Sequence, residues 1–320
     1  MSKFFVWFFI VLSVLTIMAV HVKLFTTTTT INRCVERYII DNNNLVLDNA
    51  GQMPVVKLEL FTRMTTPERS IFYSFILLDA GVLFGFARKS YDQSGLLTIK
   101  CNEKFEIANI YDENMIGEDP RVFHHDGCVY VVDNRHDNVH LHNYTKKTYV
   151  RVNLDGKNFS FVSRGRDFYC IHTMQPFRLF KVDVSDGAVQ PVYTVGGETV
   201  DNTLRGGTPG YIVNSYRGGT PGYMYDAKKY YGFGHRTYQK SDDILRHDIY
   251  FWVLLFDDDD QVIRLKIIDI DQPIASRNLT DPTCVLQAAD SLYLVTAESD
   301  LAWFHDQPYV TNVYKLELRM

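Results

Sequence analysis

From residue 55 onward the chain is a succession of short runs of β-branched and aromatic residues parted by turn residues, and this pattern limits its fold more than any other feature. The clearest runs are residues 71–78, 82–87, 129–132, 159–162, 168–172, 249–256, 262–268 and 291–296. Pairs such as Asp126-Gly127, Asp155-Gly156 and Asp186-Gly187 mark turns between them. Outside an N-terminal apolar segment, no stretch of ten or more residues carries a helical period. The body is therefore expected to be all-β. Its aromatic fraction of 14%, mostly Tyr and Phe, suits buried strands.

A looser repeat overlies the strands. Short polar or proline motifs, each followed by a turn and an apolar strand, begin near Ser70, Asp119, Asn158, Gly219 and Pro282, at steps of 49, 39, 61 and 63 residues. Propeller blades of four strands run to about 40–50 residues. The expectation is a five-bladed β-propeller over residues 56–320, with a long-looped sandwich as the rival. A shorter repeat, RGGTPGY at residues 205–211 and again at 217–223, is too closely spaced for a blade and reads as a tandem duplication. One copy is expected to hold a site position and the other to be a loop.

The N-terminus differs in kind. Residues 4–20 are uncharged and apolar, flanked by Lys3 and Lys23. A membrane span needs about 17–25 such residues, so this run reads as a transmembrane signal anchor, with a cleaved signal peptide as the alternative. The expected layout is a cytoplasmic tip and transmembrane helix over residues 1–25, a stem over 26–55, and a lumenal or extracellular body, as in a type II membrane protein. Sequons at Asn143, Asn158 and Asn278 suit that side of a membrane. The five cysteines form no C-x-x-C pair, which speaks against a zinc site. One or two disulfides are possible, and buried thiols are the equal reading for Cys128 and Cys170. A net charge of −5 without a basic cluster excludes a nucleic-acid partner.

Several polar motifs open strands. Glu118, Asp119, Pro120 and Arg121 put a carboxylate beside a proline, whose ring restricts the preceding residue to extended backbone. A structural turn cap is the plain reading of Asp119. Lys157 and Asn158 open the next strand pair. Gly218, Gly219, Thr220 and Pro221 follow, leading to a strand that ends in His235 and Arg236. Asp281, Pro282 and Thr283 open a final strand pair, after which come Glu298 and Asp300. Neither the adjacent His124-His125, which point to opposite faces of a strand, nor Asp257 to Asp260, a solvated loop without ligand spacing, suggests a metal. No cofactor and no metal are expected.

In this order the motifs resemble glycoside hydrolase family 130, the five-bladed propellers that comprise β-mannoside phosphorylases and related mannosyltransferases. The second blade of that family opens with Glu-Asp-Pro-Arg, matched at Glu118 to Arg121; the third with Lys-Asn-Trp, matched at Lys157 and Asn158 with Phe159 for the Trp. The fourth carries Gly-Gly-Thr-Pro, matched at Gly218 to Pro221 or at the earlier copy, with His235 ending its strand. The last opens with Pro-Thr-Gly, matched at Pro282 and Thr283 but with Cys284 in place of Gly. Arg88 fits the arginine that ends the first blade's strand. The resemblance covers about residues 65–310.

The resemblance implies inverting transfer with Asp119 as the single general acid or base, acting on a glycan or sugar phosphate. Arg88, Arg121, Arg217 and His235 would hold the phosphate, because guanidinium groups match phosphate oxygens in pairs. Asn134, Lys157, Asn158, Gly219, Thr220 and Asp300 would bind sugar or phosphate, and Tyr230 or Tyr231 would stack on a ring. Asp133 departs from the family ending of its strand and reads either as a charge that repels phosphate or as the water-activating base of a hydrolase. Two readings stand: a membrane-anchored glycosyltransferase or glycoside phosphorylase, and an anchored glycan-binding or envelope protein that kept the fold and lost the chemistry.

Overall fold

The computed structural model describes the chain except for residues 1–27, 32–35, 42–43, 48–54, 66–69, 79–80, 90–94, 136–137, 157, 175–176, 195–214, 240–244, 259–261, 270–278, 289 and 300–308. Strands β1 (Thr28–Ile31), β2 (Glu36–Asp41) and β3 (Asn44–Leu47) precede β4 (Val55–Arg63). Three four-stranded antiparallel sheets then follow one another along the chain. The first holds β5 (Ile71–Leu77), β6 (Val82–Arg88), β7 (Leu96–Asn102) and β8 (Ile107–Met115). The second holds β9 (Glu118–His125), β10 (Cys128–Arg135), β11 (Asn138–Asn143) and β12 (Thr148–Asp155). The third holds β13 (Ser160–Arg164), β14 (Asp167–Met174), β15 (Phe177–Val182) and β16 (Val189–Thr194).

The remaining strands are β17 (Ser215–Gly218), β18 (Tyr223–Met224), β19 (Lys229–Gln239), β20 (Leu245–Phe256), β21 (Val262–Asp269), β22 (Leu279–Ala288), β23 (Ser291–Ser299) and β24 (Val310–Arg319). With β1 to β4 they make a twelve-stranded sheet. Its two halves meet at a single parallel bridge, His247 with Leu279. On one side β22, β23, β24 and β4 form an antiparallel meander. On the other, β19, β20, β21 and β2 form a second.

Burial within a sheet follows the strand's place in it. β5 reads IFYSFIL and is buried at every position but the last, whereas β8, the fourth strand of the same sheet, reads IANIYDENM and is partly or fully exposed throughout. The second sheet repeats this from β9 to β12. A strand covered on both faces must be apolar on both, so its alternation disappears; the outer strand regains polar residues because water reaches it.

The cores lie between sheets. Ile76, Phe84 and Phe86 of the first sheet pack on Val122 and Val131 of the second. Phe123, Val132 and Leu141 of the second pack on Phe161, Phe168 and Cys170 of the third. Ile171, Phe177 and Leu179 of the third pack on Trp252, Leu254 and Phe256. Phe233, Phe251 and Ile268 pack on Leu58, Val285 and Leu294. Finally Cys284, Leu286 and Val295 return to Tyr73, Phe75 and Leu83 of the first sheet. The sheets are thus arranged like propeller blades about a common centre.

Three findings bear on the expectations. Residues 26–55, expected as a stem, contain β1, which pairs with β4, and β2, which pairs with β21. Cys101, Cys128, Cys170 and Cys284 are buried free thiols, while Cys34 lies outside the described residues. Among the described residues no helix is long and apolar enough to cross a membrane; the apolar run over residues 4–20 lies outside them.

Candidate functional site

The polar motifs of β9, β17 and β22 come together with the residues that precede β13, and the β9 motif is central to their contacts. Pro120 was expected to force extended backbone on the residue before it; Asp119 instead has φ of +49°. Left-handed backbone in a non-glycine residue costs about 1–3 kcal/mol and needs support from its surroundings. Arg88, the last residue of β6, supplies part of that support. Its Nη1 lies 3.0 Å from Asp119 Oδ1 and 3.5 Å from Glu118 Oε2. The Arg88 side chain is buried, and those of Asp119 and Glu118 keep only a little exposure.

Arg121 points the other way. Its Nε donates to the Gly219 carbonyl at 2.5 Å, and its Nη1 donates to the carbonyls of Asp119 and Pro120 at 3.1 and 2.9 Å. Three of the five N–H donors of a guanidinium are therefore used on backbone. Burial lowers its pKa, and the nearby Asp119 and Asp281 carboxylates raise it. Arg121 ties the β9 opening to the glycine motif across the molecule.

That motif is held tightly. A Cβ on Gly218 would sit 2.4 Å from the Asn158 carbonyl oxygen and 2.6 Å from Ser160 N. A Cβ on Gly219 would meet Pro282 Cγ at 2.7 Å and Phe233 O at 2.8 Å. Only glycine lets these backbones approach so closely. Thr220 is fully buried; its amide donates to Phe233 O, and its hydroxyl accepts the Phe233 amide. Gly222 donates to Phe161 O and bridges in parallel to Val162. The copy at residues 217–223 thus packs against the β13 opening and Pro282, and the copy at 205–211 lies outside the described residues. Asn158, also left-handed at φ +61°, donates its amide to Asn134 Oδ1 at 3.2 Å, which joins two more of the expected site residues.

His235 faces Arg217 in the β17–β19 ladder; the Arg217 side chain, Lys157 and Asp300 lie outside the described residues. His235 Nδ1 stands 3.4 Å from Asp281 Oδ1, and His247 Nδ1 stands 2.9 Å from the same oxygen. The two rings stack with centroids 4.6 Å apart. The two imidazoles and Arg121 outweigh burial and hold the Asp281 carboxyl down at about 2. Neither Asp281 nor His247 was among the expected site residues. One signal was readable: Asp281-Pro282 repeats Asp119-Pro120 at the start of another inner strand. His247 carried none.

Three expected roles fail on geometry. Asp133 is fully buried, with His142 Nε2 bonded to one oxygen and Arg135 Nε 3.0 Å from the other. Such a closed ion cluster neither activates water nor confronts phosphate as a bare charge. Tyr230 and Tyr231 are buried in two intersheet cores, where no sugar can stack on them. Asn143 is buried and accepts the Lys146 amide, a poor position for a glycan.

No family model and no curated protein matches the chain. Among solved structures, a hypothetical protein from Leishmania major superposes with a TM-score of 0.50 at 12% identity, over 80% of this chain and 90% of that one. A Bacteroides ovatus protein described as xyloglucan PUL GH43B superposes with a TM-score of 0.51 at 12% identity, over 79% of this chain and 54% of its own. A mannose phosphorylase from Leishmania mexicana, in complex with phosphate, overlaps at a TM-score of 0.44 and 11% identity, over 77% and 83% of the two chains. Likeness at such identities speaks to the fold alone, and the last value is below what a shared fold requires.

Proposed function

We propose that this chain is a five-bladed propeller that acts on carbohydrate, transferring a glycosyl group between a sugar phosphate and an acceptor by an inverting mechanism with Asp119 as general acid and base. The observation that carries this reading is the convergence of separate motifs: Arg88 lies 3.0 Å from Asp119, and Arg121 joins the Asp119 turn to Gly219. Strain stored at Asp119 supports it further, since such backbone concentrates at working sites. In the synthetic direction Asp119 takes the acceptor hydroxyl proton, the acceptor oxygen bonds to the anomeric carbon, and the C–O bond to phosphate breaks on the opposite face. Phosphorolysis reverses each step, with Asp119 returning the proton to the leaving sugar. Arg88, Arg217 and His235 would carry the phosphate charge. Phosphate is itself the nucleophile, so no second carboxylate is needed, which agrees with an Asp133 already occupied by Arg135 and His142.

The apolar run at residues 4–20 would anchor the protein as a type II membrane protein, with the propeller lumenal or extracellular. The test is phosphate release by the full chain in detergent, with a panel of sugar 1-phosphates and glycan acceptors, beside Asp119→Asn. Release that disappears in the variant supports the reading. A folded chain that binds glycans but releases no phosphate from any donor would make it an anchored glycan-binding protein.

A further inference from the structure

Three neighbouring strands bring together two imidazoles and a carboxylate, of which the glycosyl-transfer reading uses His235 alone. His235 lies on β19 and His247 on β20, where Thr237 faces His247 and Ile249 faces His235. Residues two apart on a strand share a face, so the two histidines are diagonal neighbours on one side of the sheet. The parallel bridge from His247 to Leu279 then brings β22 alongside, and Asp281, two residues on, presents its carboxylate to both rings. All three side chains are buried, and one ligand atom from each lies within 4.8 Å of the others.

We propose that His235, His247 and Asp281 form a three-donor site for a divalent transition-metal ion, with zinc the best match and an open fourth position for water or an anionic oxygen. The spacing supports it. Donors on a tetrahedral zinc, with bonds of about 2.0–2.2 Å, stand about 3.4 Å apart. The two Nδ1 atoms lie 3.4 and 2.9 Å from Asp281 Oδ1. The longer distance is beyond the usual N–H···O range of about 2.9–3.0 Å and matches an edge of that tetrahedron. Donor chemistry selects the ion: two imidazoles among three ligands suit zinc and its neighbours, whereas calcium and magnesium demand oxygen. Charge agrees as well. Arg121, whose charge also reaches Asp281, spends Nε and Nη1 on backbone carbonyls, while both imidazoles approach the Asp281 carboxylate directly. A dication beside Arg121 and one carboxylate leaves the cluster net positive, so the open position favours an anion.

The inference shares His235 with the glycosyl-transfer reading but does not rest on it, because its test reads metal rather than activity. The full chain is loaded with zinc, freed of excess by gel filtration and assayed for metal by mass spectrometry, beside His247→Gln and Asp281→Asn, with His140→Gln as control. The expected result is about one zinc per chain in wild type and control, and a loss of at least tenfold in occupancy in both site variants. No retained zinc, or equal zinc in the site variants, overturns the proposal. Circular dichroism reports whether those variants fold. If they do not, cobalt(II) in the wild-type chain decides: intense visible bands of a four- or five-coordinate ion support the site, and the weak bands of a six-coordinate aqueous ion refute it.

Discussion

Replacing Arg121 by methionine isolates the clamp between the β9 opening and the glycine motif. Methionine keeps most of the stem volume and removes the guanidinium. Three carbonyls, those of Asp119, Pro120 and Gly219, then lose their donor. Hydrogen bonds to a charged group contribute about 1.5–3 kcal/mol each, so the gross loss is roughly 4.5–9 kcal/mol. Against this stands the desolvation of a wholly buried cation, which lowers the Arg121 pKa and amounts to several kcal/mol. Removing the cation returns that cost, but it also leaves Asp119 and Asp281 with less positive charge nearby. The net expectation is a loss of about 3 kcal/mol, in the range for breaking a buried ionic group on one side. In a domain of this size about 2–4 °C of melting temperature accompany each kcal/mol, so the midpoint falls by roughly 10 °C. Thermal unfolding followed by tryptophan fluorescence measures it, since Trp252 is fully buried. Arg121→Lys should recover less than half, because a single ammonium cannot reproduce the fork. A midpoint within about 3 °C of wild type for the methionine variant would refute the clamp.

Gly218→Ala should cost about 1–3 kcal/mol, because its Cβ would lie 2.4 Å from a backbone oxygen that cannot move aside; an unchanged urea midpoint would contradict this. Burial pushes the thiols of Cys101 and Cys284 up to about 12 and about 11 and raises that of Cys170 too, so these thiols should resist alkylation at pH 8 in the native chain and react once it unfolds. Rapid labelling of all three without denaturant would show that the cores open. Burial lowers the pKa of His125, His140 and His172 below the ordinary value of 6.5. The unfolded chain then binds more protons just below that value, so stability should fall as pH drops through about 6.5 toward the folded pKa values; a urea midpoint flat between pH 7.5 and 5.5 would count against it.

Much of the architecture was legible because the inner strands are punctuated by residues with backbone consequences. Asp119, Asn158 and Pro282 fall near the start of a buried strand and Gly219 directly after β17, where a proline, a glycine or a left-handed residue marks a turn or a close approach of backbones. The strand ends held less information. His247 lies two residues before the apolar run 249–256, between Arg246 and Asp248, and nothing in its own neighbourhood indicates that Asp281, 34 residues on, will meet it. Tyr230 and Tyr231 look alike in sequence whether they face a ligand or a neighbouring sheet, and the packing of Trp252, Phe251 and Phe256 decides the matter. Asp119 was legible as a position but not as a conformation. The rule for residues before proline gives way here because Arg88 and the Arg121 clamp hold the turn from outside it.

The pairing of β4 with β24 sets the order of events during synthesis. Arg63 and the residue that accepts its Nε–H, Asn312, are 249 residues apart in the chain. At about 5–20 residues per second a ribosome needs roughly 12–50 s to make that interval, and for all of it β4 has no neighbour on its β24 side. An unpaired strand edge is a template for intermolecular association. The alternating charges along β4, Lys57, Glu59 and Arg63, are what guards that edge while the nascent chain waits for its partner.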